Sequence, residues 1–148
     1  MKLPNTAQII NIDSGQHDNS LHPQNKPTVG KRFSLAVRKL VYGEDIIVDG
    51  PTFSRMEKDG KKLHLYFINV GKGLLLKIGE EVKNIAIAGE DKIFLWAKSR
   101  VEGDKIILWN DEIEEPVAVR YAWCDNPFDV NLYNSEGLPA VPFRTDNW

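Results

Sequence analysis

The stretch E-K-D-G-K-K-L-H-L-Y-F, residues 57–67, decides the fold of this 148-residue chain. Leu63, Leu65 and Phe67 alternate with Lys62, His64 and Tyr66. A period of two sends successive side chains to opposite faces of an extended backbone, so one row is apolar and the other polar. The D-G pair ahead of it, Asp59-Gly60, supplies the left-handed backbone of a tight turn. A turn leading into a half-buried strand is the unit of an antiparallel sheet.

The same pattern continues towards the C-terminus. Residues 92–101 and 105–109 flank E-G-D at 102–104, which predicts a hairpin. Gly71-Lys72-Gly73 marks another turn and lacks the spacing of a phosphate loop. Pro116 opens a candidate strand over 117–124, with Val117, Val119, Tyr121 and Trp123 on one face. Short strands separated by turns at regular intervals predict a mainly β chain, an antiparallel β-sandwich or jelly-roll-like domain. Beyond it, residues 125–148 show neither period and read as a long irregular tail rich in aromatics and proline. Phe128, Leu132, Tyr133, Leu138, Val141, Phe143 and Trp148 argue against disorder there, so the tail is expected to wrap its own β-domain or to dock against a partner domain.

In the other direction the pattern changes. Residues 7–12 form a short apolar run ending in D-S-G, which suits a strand entering a loop. Residues 14–25 are rich in Ser, Asp, Asn and His with no apolar period, and read as loop. Pro27 fits the first turn of a helix, where its missing N–H is not needed. Val29, Phe33, Val37, Leu40 and Val41 follow at three- and four-residue spacing, with Lys31, Arg32, Arg38 and Lys39 elsewhere on the wheel. This predicts an amphipathic helix broken at Gly43, its basic residues a solvated face. The expected division falls there, into residues 1–43 and 44–148.

Composition excludes several function classes. Apolar residues at 42% and charged residues at 27% lie in the globular range. The net charge of -2, from 19 basic against 21 acidic residues, offers no stripe for a nucleic-acid backbone. The apolar runs are too short to span a bilayer, and the N-terminus lacks the pattern of a secretory signal. A single cysteine, Cys124, excludes an internal disulfide and a multi-cysteine metal site, and is expected to be a small core hydrophobe.

Three histidines are available for chemistry: His17, His22 and His64. His64 lies on the alternating strand and is expected to face solvent. His22 differs, because it sits in a polar loop ahead of the helix and Pro23 restricts it to extended geometry. Asp18, four residues earlier, is the candidate partner for Nδ1, which would leave Nε2 as the base.

Four stretches carry a family resemblance: L-H-P-Q-N-K at 21–26, V-Y-G at 41–43 with Gly50 and Pro51, A-G-E-D-K-I-F at 88–94, and above all the run from Arg120 to Trp148. With these, residues 9–148 resemble the C-terminal portion of the sialate O-acetylesterases, carbohydrate esterases of the SGNH hydrolase superfamily. The resemblance implies that His22 is the general base and that Lys26 matches a lysine following the family's His-Pro. In the family the acid stands two residues before the histidine, where this chain has Ser20. Asp18 remains as a substitute through a longer loop, with Asp13 further away. The family's nucleophilic serine lies far upstream in a Gly-Gln-Ser-Asn type motif. G-Q-H-D-N at 15–19 echoes that motif with His17 in the serine's place, and the echo is read as chance.

The resemblance further implies that residues 1–43 are the C-terminal remnant of a hydrolase domain, that the chain lacks its nucleophile, and that it is inert alone. Its partners would be an O-acetylated sugar and the missing N-terminal hydrolase domain, in a secreted, periplasmic or lysosomal setting. No metal and no organic cofactor is required by that chemistry. A remnant should expose apolar surface around Val29, Phe33 and the tail, which would favour self-association.

Two other readings stay open. Q-I-I-N-I-D-S-G at 8–15 resembles the block that opens GDSL-type hydrolases and makes Ser14 a rival nucleophile, although Ile12 stands where that block has glycine. The β-rich part could instead be a carbohydrate-binding or structural module, if Trp96, Trp109, Trp123 and Tyr133 are exposed. Tryptophans in alternating strands usually face inward, so a core position is the expectation for these four.

Overall fold

A computed structural model describes residues 3–15, 22–127 and 129–148. The chain is mainly antiparallel β with one helix, α1 (Lys26–Tyr42). The strands are β1 (Thr52–Asp59), β2 (Lys62–Ile68), β3 (Leu74–Leu76), β4 (Ile85–Ala88), β5 (Leu95–Trp96), β6 (Lys98–Glu102), β7 (Lys105–Trp109), β8 (Ala118–Tyr121), β9 (Leu132–Asn134) and β10 (Phe143–Arg144). They form two four-stranded sheets, in the orders β1-β2-β7-β6 and β10-β8-β4-β5, and a ribbon β3-β9.

The expected turn at Asp59-Gly60 and the expected hairpin at 102–104 are both present, and the turn joins β2 to a strand, β1, that the sequence reading did not name. Asp59 pairs with Lys62 across Gly60, whose φ is 56°, and Glu102 pairs with Lys105 across Gly103. On β2 the alternation holds: Leu63, Leu65 and Phe67 are buried while Lys62 and Ile68 are exposed. Those residues join Ile106 and Leu108 of β7, Ile85 and Ile87 of β4, and Val119 and Tyr121 of β8 in one core. The two larger sheets therefore share a single interior. Aromatic rings link them, since Phe143 stacks on Phe53 at 4.7 Å and lies 5.8 Å from both Phe67 and Tyr121. Each such fully buried side chain contributes about 1.5–3 kcal/mol.

Several expectations need correction. Residues 7–12 are not a strand: no neighbouring strand among the described residues pairs with them, and a lone extended segment has nowhere to place its ladder hydrogen bonds. The expected strand over 92–101 is two, β5 and β6, and the one over 117–124 shrinks to β8.

The tail is not irregular throughout. It supplies β9 to β3 and β10 to β8. Strands of three and two residues are too short for a period to show in the sequence. Much of the tail's order comes instead from buried asparagines. Asn134, fully buried, donates to the carbonyls of Asp49 and Asn69 and accepts from the N–H groups of Glu136 and Leu138. Asn131 donates to the carbonyls of Ile78 and Glu81 and accepts from the Lys83 N–H. Each side chain thus takes the place of a length of ladder.

Gly50 and Pro51 are explained by the same tail. A Cβ on Gly50 would fall 1.8 Å from the Pro139 carbonyl oxygen, and Val141 donates its N–H to the Pro51 carbonyl at 2.9 Å. Only glycine allows the tail to cross so closely.

The helix is the largest departure. Its ends follow the sequence: Asn25 caps the start by accepting from Thr28 N–H, and Gly43 ends it with φ 68°. Its faces do not. Arg32 and Ala36 are the buried residues, whereas Phe33, Val37, Leu40, Val41 and Tyr42 are exposed. The apolar stripe faces away from the sheets. No helix among the described residues is long and apolar enough to cross a membrane.

Candidate functional site

The loop ahead of α1 and the helix itself are held to the β-rich part by a buried charged cluster. Arg32 is only 5% exposed and Asp13 11%, and they form a bidentate pair at 2.6 and 2.8 Å. Tyr133 on β9 donates its hydroxyl to Asp13 Oδ2 at 2.9 Å. The Arg32 guanidinium also donates to the Ile10 carbonyl at 2.7 Å and to Asn11 Oδ1 at 3.3 Å. Three distant pieces of chain, at positions 13, 32 and 133, therefore meet at one carboxylate.

The electrostatics follow from this geometry. Burial alone would raise the Asp13 carboxyl, but the hydrogen bonds from Arg32 and Tyr133 outweigh it and hold the group below its ordinary value. Burial, reinforced by the neighbouring Asp13 carboxylate, drives the Tyr133 phenol upward, so it remains a donor. A cavity of about 280 Å³ opens beside the cluster, lined among others by Asn25, Thr28, Lys31 and Lys77. The Lys77 ammonium lies 3.5 Å over the Tyr133 ring, and partial burial lowers its affinity for a proton.

His22 is exposed and stands three residues before the Asn25 cap, with Lys26 in the first turn of the helix. Asp18 and His17 lie outside the described residues, as does Ser20. Asp13, the more distant acid candidate, has its carboxylate occupied by Arg32 and Tyr133. Ser14 is buried, and its hydroxyl donates to the Asn11 carbonyl at 2.7 Å. A hydroxyl turned to its own backbone in the interior is poorly placed to attack an ester.

The remaining side chains depart from expectation in instructive ways. Cys124 is exposed, not a core residue, because β8 ends at Tyr121 and the chain turns outward at Ala122, whose φ is 48°. The same turn exposes Trp123, and Trp96 on the sheet edge is exposed as well. Of the four aromatics expected in the core, Tyr133 is the one that is fully buried. His64 is half-buried and lies 3.9 Å from Asp59 rather than facing open solvent.

Arg32 and Tyr133 were not legible as a pair. The signal available was slight: Arg32 and Ala36 lie four apart, a stripe in which a small residue lets the helix approach its neighbour.

The class is set by the relatives. No protein-family model matches the chain. Its fold superposes on the crystal structure of a carbohydrate acetylesterase from Xanthomonas citri with a TM-score of 0.86 and 43% identity, over 92% of this chain and 31% of that one. The chain is thus a structural and sequence relative of carbohydrate acetylesterases.

More particularly, it is a relative of the sialate O-acetylesterases, as the loop and tail motifs implied. It is 30% identical to the Pongo abelii sialate O-acetylesterase, 29% to the Homo sapiens one and 31% to the Mus musculus one, in each case over 96% of its length. It spans slightly under a third of the length of these relatives.

Proposed function

We propose that this chain is the histidine-bearing portion of a serine carbohydrate esterase that removes O-acetyl groups from sialic acid or a related sugar. Residues 1–43 would belong to its hydrolase domain and residues 44–148 to the β-rich part behind it. In the complete enzyme a serine hydroxyl from outside this chain attacks the acetyl carbon. His22 takes the serine proton and passes it to the departing sugar oxygen. Water, deprotonated by the same imidazole, then cleaves the acyl-serine to acetate. Asp18 is the candidate group for orienting the imidazole. No step calls for a metal or an organic cofactor.

The observation that carries this reading is the reversed helix. Phe33, Val37, Leu40, Val41 and Tyr42 form an exposed apolar face on α1, beside the segment at 7–12, which pairs with no strand among the described residues. A segment with no sheet partner beside a helix whose apolar face is exposed is what remains visible when the layer that would cover both lies elsewhere. Relatives about three times as long have room for that layer.

The test has two arms. The isolated chain is expected to hydrolyse neither p-nitrophenyl acetate nor O-acetylated sialic acid above an imidazole background. Grafted onto the remainder of the Xanthomonas citri acetylesterase, in place of the matching segment, it should restore turnover that His22→Ala abolishes. Activity of the isolated chain that Ser14→Ala removes, or a chimera indifferent to His22→Ala, would overturn the proposal. A second reading, a sugar-binding role for the β-rich part itself, is favoured at one position by the exposure of Trp96.

A further inference from the structure

The chain between Asp13 and Asn25 carries His22, and both of its ends are fixed. At the far end Asn25 caps α1 by accepting from the Thr28 N–H. At the near end the Ser14 N–H and hydroxyl both donate to the Asn11 carbonyl, at 3.1 and 2.7 Å, and close a turn. Arg32, about two turns beyond the cap, ties the two ends together. Its guanidinium donates to the Ile10 carbonyl, to Asn11 Oδ1 and to both carboxylate oxygens of Asp13. The start of the loop and the helix at its end are thereby joined into one piece.

Tyr133 ties that piece to the β-rich part. Its hydroxyl donates to Asp13 Oδ2 at 2.9 Å, the same oxygen that accepts from Arg32 at 2.8 Å. The phenol is itself held by its surroundings. Tyr133 pairs with Leu75 of β3 and bridges to Pro139, and the Lys77 ammonium lies 3.5 Å over its ring. Apolar packing would hold the helix without the desolvation cost of two buried charges. What a bidentate pair adds is direction, because it fixes distance and angle together where apolar side chains slide and repack. An imidazole that must meet a hydroxyl from outside this chain needs that definition. A general base works only within hydrogen-bond reach, and about 1 Å of misplacement costs on the order of a hundredfold in rate.

We infer that Tyr133, acting through Asp13 and Arg32, is a positioning residue for the His22 imidazole. The inference rests on the reading of His22 as the general base. In this role the phenol touches neither substrate nor reacting atoms. It sets where the loop and α1 stand against the β-rich part, and so where the imidazole meets the serine. Tyr133→Phe is the selective perturbation. It deletes one hydroxyl and leaves the Arg32–Asp13 pair in place, whereas Asp13→Asn strands a buried charge and lowers stability as a whole. The proton that His22 gives to the sugar oxygen is the discriminating step. A sugar alkoxide leaves poorly without that proton, while p-nitrophenolate departs without it. A displaced imidazole therefore slows the sugar ester more than the nitrophenyl ester, and a loss of folded protein slows both by the same factor.

The experiment uses the chimera with the remainder of the Xanthomonas citri acetylesterase and compares Tyr133→Phe, Ser99→Ala and His22→Ala. Ser99→Ala is the stability control, since on β6, outside the cluster, it removes a buried acceptor from the Val82 N–H. Circular dichroism gives the thermal midpoint of each variant. In Tyr133→Phe, kcat/KM for O-acetylated sialic acid is expected to fall about tenfold, through kcat with KM kept. The fall for p-nitrophenyl acetate should be smaller, and Ser99→Ala should leave the ratio of the two esters unchanged. A ratio in Tyr133→Phe equal to that of the unaltered chimera, or matched by Ser99→Ala, overturns the inference. His22→Ala separates the two proposals. A chimera that it inactivates but that Tyr133→Phe leaves alone sinks the positioning role only, and one that it leaves active sinks the esterase reading as well.

Discussion

Asp13→Asn isolates the cluster that joins the helix to the sheets. The substitution keeps the shape of the side chain but removes its charge and half of its acceptor capacity. Arg32, 5% exposed, would then keep a full positive charge with no counter-ion, and the Tyr133 hydroxyl would lose its acceptor or face an amide N–H. Breaking a buried pair from one side costs about 3–5 kcal/mol, because the remaining charge stays desolvated. Domain stabilities are about 5–15 kcal/mol, so the loss is a large fraction of the whole. With a urea m-value of about 2 kcal/mol per molar, the midpoint should fall by roughly 2 M. Urea titration followed by circular dichroism at neutral pH measures this directly.

The same variant fixes the sign of a pH effect. The Asp13 carboxyl is held below its ordinary value of 3.8 in the folded chain, so its contribution is complete above that value. It drains away as pH falls through the ordinary range towards the folded-state value. The stability gap between the unaltered chain and Asp13→Asn should therefore be widest at neutral pH and close under acid. Asp146, also held low, chiefly by its hydrogen bonds from Arg120, contributes to the acid limb of both proteins and cancels in the difference. The double change Asp13→Leu with Arg32→Met removes both charges, and should cost less than either single change. A midpoint shift below about 0.5 M for Asp13→Asn, or a double variant as unstable as the sum of the singles, would refute the reasoning.

Two further predictions concern the tail. Asn134→Ala removes four hydrogen bonds and leaves the Asp49 and Asn69 carbonyls and the Glu136 and Leu138 N–H groups without that partner. At about 1–3 kcal/mol for each group left buried and unsatisfied, the loss should reach several kcal/mol, visible as early thermal unfolding by scanning calorimetry. Gly50→Ala places a Cβ against the Pro139 carbonyl, and the obstacle is backbone, not a flexible tip. Displacement of residues 139–141 is expected, read as faster amide exchange at Val141, whose N–H now bonds the Pro51 carbonyl.

What the sequence disclosed, and what it did not, follows from the range of each interaction. Period and turn chemistry are local, so β2, its D-G turn and the E-G-D hairpin were legible from a few residues. The His-Pro loop and the aromatic tail were legible as a resemblance, because a fixed order of residues survives where no period exists. The charged cluster was not. Asp13 and Tyr133 are 120 positions apart, and nothing in the neighbourhood of either announces the other.

The helix misled for a more physical reason. Its stripe of Val29, Phe33, Val37, Leu40 and Val41 gave the correct element and the correct apolar face, yet an apolar face says only that something must cover it, not what. Within this chain the face of α1 turned inward carries Arg32 and Ala36. A guanidinium anchored by two further oxygens and by an aspartate that a phenol in turn holds has fixed geometry, and holds the helix with its apolar stripe outward. The arrangement makes sense if burial of that stripe was never assigned to these sheets. The stripe and the buried pair are then two halves of one device: the pair sets the orientation, and the orientation leaves the stripe exposed, where the remainder of the proposed esterase would cover it. Replacing Arg32 should therefore weaken assembly of the chimeric enzyme even where the isolated chain still folds. Sedimentation of the chain with the separately expressed remainder of the Xanthomonas citri acetylesterase, with and without Arg32→Met, measures that. Equal association by both would sever the link between the cluster and the exposed face.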